Sequence, residues 1–117
     1  YRAVSDDVVE LNQGAYPLGV RLDSSYPAIE TRLASGDYVI FCSDGISEAL
    51  NIEGDVFGYE RTAEVIGKGC KDGLSAQVLL DQILTEVQTY AAGTTQQDDM
   101  TCIVARIDDE RLRFRLF

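Results

Sequence analysis

Residues 38–48 read YVIFCSDGISE and residues 96–106 read QQDDMTCIVAR, and these two stretches contain the strands that we expect at the centre of the sheet. Each contains an apolar run of strand length with aspartate at one end: Asp44 follows the first run, whereas Asp98 and Asp99 precede the second. In an antiparallel pair, the C-terminal end of one strand lies beside the N-terminal end of the other. Antiparallel pairing therefore predicts that the aspartates meet, whereas parallel pairing would separate them by roughly 20 Å.

The composition indicates a single globular domain and excludes several functions. The chain has 117 residues, with 10 Lys and Arg against 20 Asp and Glu, a net charge of −10. This charge disfavours binding to nucleic acid or to anionic lipid. The sequence shows neither an apolar run of about 18 residues nor a signal-peptide pattern. We therefore expect a cytoplasmic protein without a membrane or nucleic-acid partner.

Histidine is absent, and the cysteines are few and widely spaced. Without histidine there is no imidazole base or imidazole metal ligand. Cys42, Cys70 and Cys102 form no C-x-x-C motif, so neither a zinc site nor a disulfide framework is indicated. Because Cys42 and Cys102 lie within apolar runs, we expect them to be small buried core residues. Chemistry in this chain must then rest on carboxylates, with a hard metal ion as the natural companion.

Several segments have the composition of β-strands. Residues 8–11 form a short candidate strand, and residues 28–33 alternate apolar and polar side chains as a half-buried strand does. A tight connection leads from there into residues 38–43, which predicts a β-hairpin with a second strand that is central and covered on both faces. Residues 100–107 form another strand that is apolar on both faces, and residues 111–117 alternate as an edge strand or tail.

Two helices are predicted between the aspartate motifs. Residues 46–58 read as a long loop, followed by a helix over residues 59–71 that stops at the Asp-Gly pair 72–73. The clearest helix covers residues 76–91, where apolar positions recur at helical spacing and Ser75 is positioned as the N-cap.

Converging carboxylates repel each other, so a pocket that keeps both ionised requires a cation or a shared proton. With Asp44, Asp98 and Asp99 as oxygen donors and no histidine, Mg²⁺ or Mn²⁺ is the natural occupant. The simpler alternative is that these aspartates only end strands and begin turns. Parallel central strands would support this alternative, in which the chain is an unrelated α/β domain.

The same stretches resemble the C-terminal half of the metal-dependent protein serine/threonine phosphatases, the PPM family. The matching segments are GDYVIFCSDGISEALN at 36–51, GDVFGYER at 54–61, QQDDMTCIVAR and YPLGV at 16–20. They are most similar to the bacterial branch of stage II sporulation and stress-response sigma-factor phosphatases. The resemblance runs over about residues 14–107 and keeps the two aspartate motifs in order.

The resemblance implies an α+β fold with antiparallel sheet layers flanked by two helices, the C-terminal half of an α-β-β-α sandwich. Asp44 and Asp98 would be ligands of Mn²⁺ or Mg²⁺, and Asp99 is the less certain ligand. The implied reaction is hydrolysis of phosphoserine or phosphothreonine by a metal-activated water. The role of Glu48, within the first motif, is left unassigned.

The family's bridging metal aspartate comes from an N-terminal half that these 117 residues do not contain. We therefore expect a single partial phosphatase domain over residues 1–117, with little activity by itself. Its expected partners are a phosphorylated protein, such as an anti-sigma-factor antagonist, and a second copy of the chain at an exposed sheet face or edge. The alternative is a non-catalytic phosphatase-like module for interaction or sensing.

Overall fold

The computed structural model describes residues 1–12, 14–95, 98–108 and 113–116. The elements in chain order are β1 (Ile29–Arg32), β2 (Tyr38–Cys42), α1 (Asp44–Ser47), α2 (Gly58–Lys71), α3 (Ala76–Tyr90), β3 (Cys102–Arg106) and β4 (Arg113–Leu116). The strands pair antiparallel as β1 with β4 and β2 with β3. The predicted α+β class with antiparallel strands is thus confirmed, with one short helix more than expected.

The β2–β3 ribbon pairs the two strands that carry the aspartate motifs. Its register runs from Tyr38 opposite Arg106 to Cys42 opposite Cys102. The antiparallel direction that the site hypothesis required is therefore confirmed. The prediction that β2 is covered on both faces is wrong, because Phe41 and Ile103, which pair on the second face, are 40% and 56% exposed.

The first face of the ribbon packs against α2 and α3. Tyr38 of β2 joins Ile66 of α2 and Leu79 and Ile83 of α3 in one buried cluster, with Val104 packed against it. Leu79 and Ile83 are 0% and 1% exposed, and burial of each such side chain contributes roughly 1.5–3 kcal/mol. This cluster fixes the ribbon, and hence the two motifs at its end, to the helical layer.

The predicted hairpin between the first two strands is wrong. β1 pairs with β4, so the edge strand predicted near the C-terminus is confirmed for residues 113–116, and the other residues of 111–117 lie outside the described residues. Gly36 N donates to Ile107 O and Ile107 N donates to Asp37 O, which directs the chain towards β3. The Asp37 carboxylate is 2% exposed and accepts from Ala3 N and Ala34 N, which holds this turn in place.

The N-terminal segment contains no strand within residues 1–12, so the strand predicted at residues 8–11 is wrong. Only an isolated bridge between Arg2 and Asp7 is present in that segment. The two valines of this segment differ in burial: Val8 packs against the helical core, whereas Val9 is 48% exposed. Val8 therefore anchors the segment to the helices, and the segment does not form a strand.

Both long helices begin and end within one residue of the predicted bounds. The Ser75 side chain accepts a hydrogen bond from Val78 N at the start of α3, as an N-cap does. α2 ends before Asp72, and Gly73 adopts φ +68°, the left-handed conformation that favours glycine after a helix. In the part of the chain that is described, no helix is both long and apolar enough to span a bilayer.

The prediction that Cys42 and Cys102 are buried core residues is wrong for Cys42, which is exposed at the end of the ribbon. Cys102 is partly buried and packs against both buried clusters, so the prediction holds in part for this residue. The Cys42 and Cys102 sulfur atoms are 3.7 Å apart. Cys70, by contrast, is buried in the helical core, and this burial raises its pKa to about 11.

Candidate functional site

The two aspartate motifs meet at one end of the β2–β3 ribbon. Ser43 N donates to Thr101 O at 2.9 Å, and Thr101 N donates to the Ser43 hydroxyl oxygen at 2.9 Å. The same hydroxyl donates to Asp99 O at 3.1 Å. Ser43 therefore ties the segment before Asp44 to the segment after Asp98 by three hydrogen bonds.

Gly45 lies directly against the second motif. It is buried, and a Cβ atom at this position would be 2.5 Å from Asp99 O and 3.4 Å from Asp98 O. Contacts this short are not tolerated, so any side chain at position 45 would push the two motifs apart. The glycine of the Ser-Asp-Gly motif is required here for close approach, a more specific role than the turn signal that the sequence suggested.

Asp44 is the first residue of α1, and the predicted loop over residues 46–58 is wrong at its start. Asp44 O accepts from Glu48 N at 2.8 Å and from the Ser47 hydroxyl at 3.2 Å, which closes one helical turn. The turn is anchored by Ile46, which is 0% exposed and packs in a cluster with Phe57 and Val87. This anchor explains why the segment after Asp44 folds back onto the helices.

A cavity of about 560 Å³ opens beside the two motifs. Gly45, Glu48 and Asp98 lie on its wall, and Met100 and Thr94 complete the neighbouring surface. Glu48, whose role the sequence left open, thus shares a cavity with Asp98. Asp44 does not line this cavity, although it is the residue immediately before Gly45.

Asp44, Asp98 and Asp99 are all exposed at this end of the ribbon. The Asp98 carboxylate accepts from Asp99 N at 2.8 Å, which orients one of its oxygens towards its own backbone. Among the residues that the structure describes, no group of three or more Asp, Glu, Cys or His side chains could hold a metal ion. The carboxylates suit Mg²⁺ or Mn²⁺ in kind, but they supply part of a coordination shell. Their assignment as ligands stays a prediction.

Sequence reasoning missed Ser43 as a structural link and Gly45 as the point of closest approach. A signal for both was present, since the two residues flank Asp44 directly and the strand pairing places them opposite Asp99 and Thr101. No sequence pattern indicated that α1 would turn Glu48 towards the cavity. That placement depends on the burial of Ile46 by residues far along the chain.

Comparisons with known proteins match nearly the whole chain. The family model described as stage II sporulation protein E (SpoIIE) matches residues 1–108. Stage II sporulation protein E of Bacillus subtilis (strain 168) is 30% identical over 104 residues, which cover 88% of this chain. The aligned part is 12% of the length of that relative. No solved structure matches the chain. The family match over residues 1–108, together with this relative, confirms the predicted resemblance and shows that the chain belongs to the SpoIIE family.

Proposed function

We propose that this chain is the C-terminal part of a metal-dependent phosphatase domain that hydrolyses phosphoserine or phosphothreonine in a protein substrate. The observation that carries the proposal is the meeting of residues 43–45 with Asp98 and Asp99 at one end of the antiparallel β2–β3 ribbon. These contacts bring the segment that carries Asp44 beside the segment that carries Asp98 and Asp99, and a cation site built from these carboxylates would require that arrangement. Membership of the SpoIIE family supports the same reading.

Asp44 and Asp98 would hold Mn²⁺ or Mg²⁺ in this proposal, with Asp99 as the less certain ligand. A divalent cation bound there would activate a water and offset negative charge on the phosphoryl oxygens. Within the part of the chain described, the acidic groups do not complete a metal shell, so the remaining ligands would come from elsewhere in the phosphatase domain. The 117-residue chain alone is accordingly expected to hydrolyse phosphoesters very slowly.

The residues around the carboxylates position them. Ser43 fixes the spacing between the motifs through its bonds to Thr101 N and Asp99 O, and Gly45 permits the close approach. Glu48 and Asp98 share the adjacent cavity of about 560 Å³, which lies where a substrate side chain could approach the metal. Their negative charge would repel a phosphate in the absence of a cation. Substrate binding would then depend on the metal.

The proposed partner is a phosphorylated protein of bacterial signalling, such as an anti-sigma-factor antagonist, and the proposed location is the cytoplasm. The name of the Bacillus subtilis relative associates that protein with sporulation. The net charge of −10 is compatible with a protein partner and unfavourable for nucleic acid.

The test measures Mn²⁺-dependent hydrolysis of a phosphoserine peptide by the complete protein that contains this chain. Asp44→Asn and Asp98→Asn should each lower kcat/KM by more than about 100-fold, since loss of a supporting residue around a metal already costs about 10- to 100-fold. Asp23→Asn is the matched control, because Asp23 is an exposed aspartate in a turn and does not line the cavity beside the two motifs. It should leave the rate unchanged.

The same variants, examined for Mn²⁺ binding, distinguish a phosphatase from a non-catalytic module. Mn²⁺ titration by calorimetry should show weaker binding for Asp44→Asn than for Asp23→Asn. Full hydrolysis by Asp44→Asn would overturn the assignment of Asp44. A complete protein that neither binds Mn²⁺ nor hydrolyses the peptide would favour the interaction or sensing module instead.

A further inference from the structure

Cys42 and Cys102 form a thiol pair across the β2–β3 ribbon that the proposed phosphatase chemistry does not use. They are partners in the strand register, and their sulfur atoms are 3.7 Å apart. The two residues are 60 positions apart in the chain, so their proximity is a product of the fold. They also lie at the end of the ribbon that carries the aspartate motifs.

The hydrogen-bond pattern of the ribbon identifies the kind of pair that they form. Ser43 N bonds Thr101 O at one end, and Ile107 N bonds Asp37 O at the other. Hydrogen-bonded and non-hydrogen-bonded pairs alternate along an antiparallel ladder, so Cys42 and Cys102 form a non-hydrogen-bonded pair. The Cα atoms of such a pair are about 4.5 Å apart, and a disulfide accepts Cα separations of about 4.4–6.8 Å. Bridging the pair is therefore compatible with the strand geometry.

Access distinguishes this pair from the third cysteine. Cys42 is exposed and borders a second cavity of about 360 Å³, which also contacts Tyr59 and Ile66. A small oxidant can reach Cys42 from this side. Cys70 is buried in the helical core and serves as an internal reference for an unreactive thiol.

We propose that Cys42 and Cys102 are a redox modification site, which a peroxide oxidises to an intramolecular disulfide. The exposed Cys42 sulfur attacks one peroxide oxygen, the O–O bond breaks, and a sulfenic acid and water form. The Cys102 sulfur then attacks the Cys42 sulfur, the S–OH bond breaks, and a second water leaves with the proton of Cys102. Two thiols and hydrogen peroxide thus give one disulfide and two waters, and a dithiol reductant reverses the change by thiol–disulfide exchange.

The bridge would act on the candidate site through the backbone. Cys42 immediately precedes Ser43, and Cys102 immediately follows Thr101, whose backbone bonds hold the two motifs together. A covalent link at this pair prevents the ribbon end from opening. Oxidation should therefore protect the amides around residues 43–45 and 101–103 from exchange.

The experiment uses the complete protein, reduced and then treated with hydrogen peroxide, and needs no phosphatase substrate. Tryptic digestion and mass spectrometry should find the Cys42 and Cys102 peptides linked, with the loss of two hydrogen atoms, and separated again by dithiothreitol. Hydrogen exchange should slow at residues 43–45 and 101–103 after oxidation. Cys42→Ser and Cys102→Ser should abolish both effects, whereas Cys70→Ser should leave both in place.

Disulfide formation does not depend on catalysis, so the redox site would stand even if the protein had no phosphatase activity. Peroxide-treated protein in which both peptides stay unlinked would overturn the redox site. So would oxidation of Cys42 to sulfinic acid without a bridge, since the partner thiol would then have failed to react. A link that involves Cys70 would equally contradict the pairing.

Discussion

Ser43 and Gly45 flank Asp44 and determine how closely the two motifs approach. The Ser43 hydroxyl bonds both Asp99 O and Thr101 N, while the missing side chain at Gly45 leaves room for the Asp99 carbonyl. Neither residue needs to take part in chemistry for this role. At the residue scale, the short motif Ser-Asp-Gly therefore combines a candidate ligand with the two contacts that position it.

Gly45→Ala tests this role. The added methyl group would lie 2.5 Å from Asp99 O, a backbone atom that can move only together with the chain segment leading into β3. We expect a loss of about 1–3 kcal/mol in the free energy of unfolding, the usual cost of overpacking a well-packed site. Urea denaturation measures this loss, and Mn²⁺ binding by the complete protein should weaken in parallel.

Gly14→Ala is the matched control for that substitution. Position 14 has open space around it and no positive φ, so an added methyl group meets nothing. The free energy of unfolding of the Gly14→Ala variant should differ from that of the wild type by less than about 0.5 kcal/mol, as for an ordinary surface substitution. Equal stability of Gly45→Ala and Gly14→Ala would show that the close approach at Gly45 has no energetic importance.

Among the elements, the helices could be predicted from the sequence because their signals are local. Residues near one another in the chain set the periodicity of α3, its Ser75 cap and the Gly73 stop of α2. Strand pairing is different, since it depends on distant partners. β1 followed the expected alternation, but its partner is β4 and not β2. The buried Asp37 carboxylate that turns the chain towards β3 has no local signature.

The candidate site also combines features that the sequence predicts with features that depend on contacts between distant residues. Antiparallel pairing of the two apolar runs was a condition of the site hypothesis and was implied by the family resemblance, and the β2–β3 register confirms it. The exposure of Phe41 on the second face could not be anticipated, since an apolar run does not reveal how many faces of a strand will be covered. The short helix α1 was equally hidden, because its anchor Ile46 is buried by Phe57 and Val87.

The Ser75 cap gives a prediction for α3. Its hydroxyl accepts from Val78 N, one of the backbone donors that lack a partner inside the helix. Ser75→Ala should lower the free energy of unfolding by about 1 kcal/mol, whereas Ser75→Asp should retain the cap. Chemical denaturation of both variants measures the difference. If Ser75→Ala and Ser75→Asp had the same stability, the cap would not contribute to α3.

At the scale of the whole molecule, the chain is flat. Its principal extents are 44, 43 and 20 Å. A helix with its side chains is about 10–12 Å across, and packed layers lie about 10 Å apart, so the short dimension holds one helical layer and one strand layer. The helical core covers one face of the β2–β3 ribbon, and Ile103 on the other face is 56% exposed. A strand layer with an open apolar face favours association.

We therefore expect the 117-residue chain to form a dimer through the open face of the β2–β3 ribbon, with a second copy as the partner. Ile103→Lys places a charge on this face and should shift sedimentation equilibrium towards monomer. Val78→Lys is the matched control, because Val78 is similarly exposed, at 50%, but lies on α3. The Val78→Lys variant should still form the dimer. A wild-type chain that stays monomeric as its concentration rises would contradict the prediction. Equal association of the two lysine variants would contradict it as well. Either result would mean that the open face of the ribbon does not drive self-association.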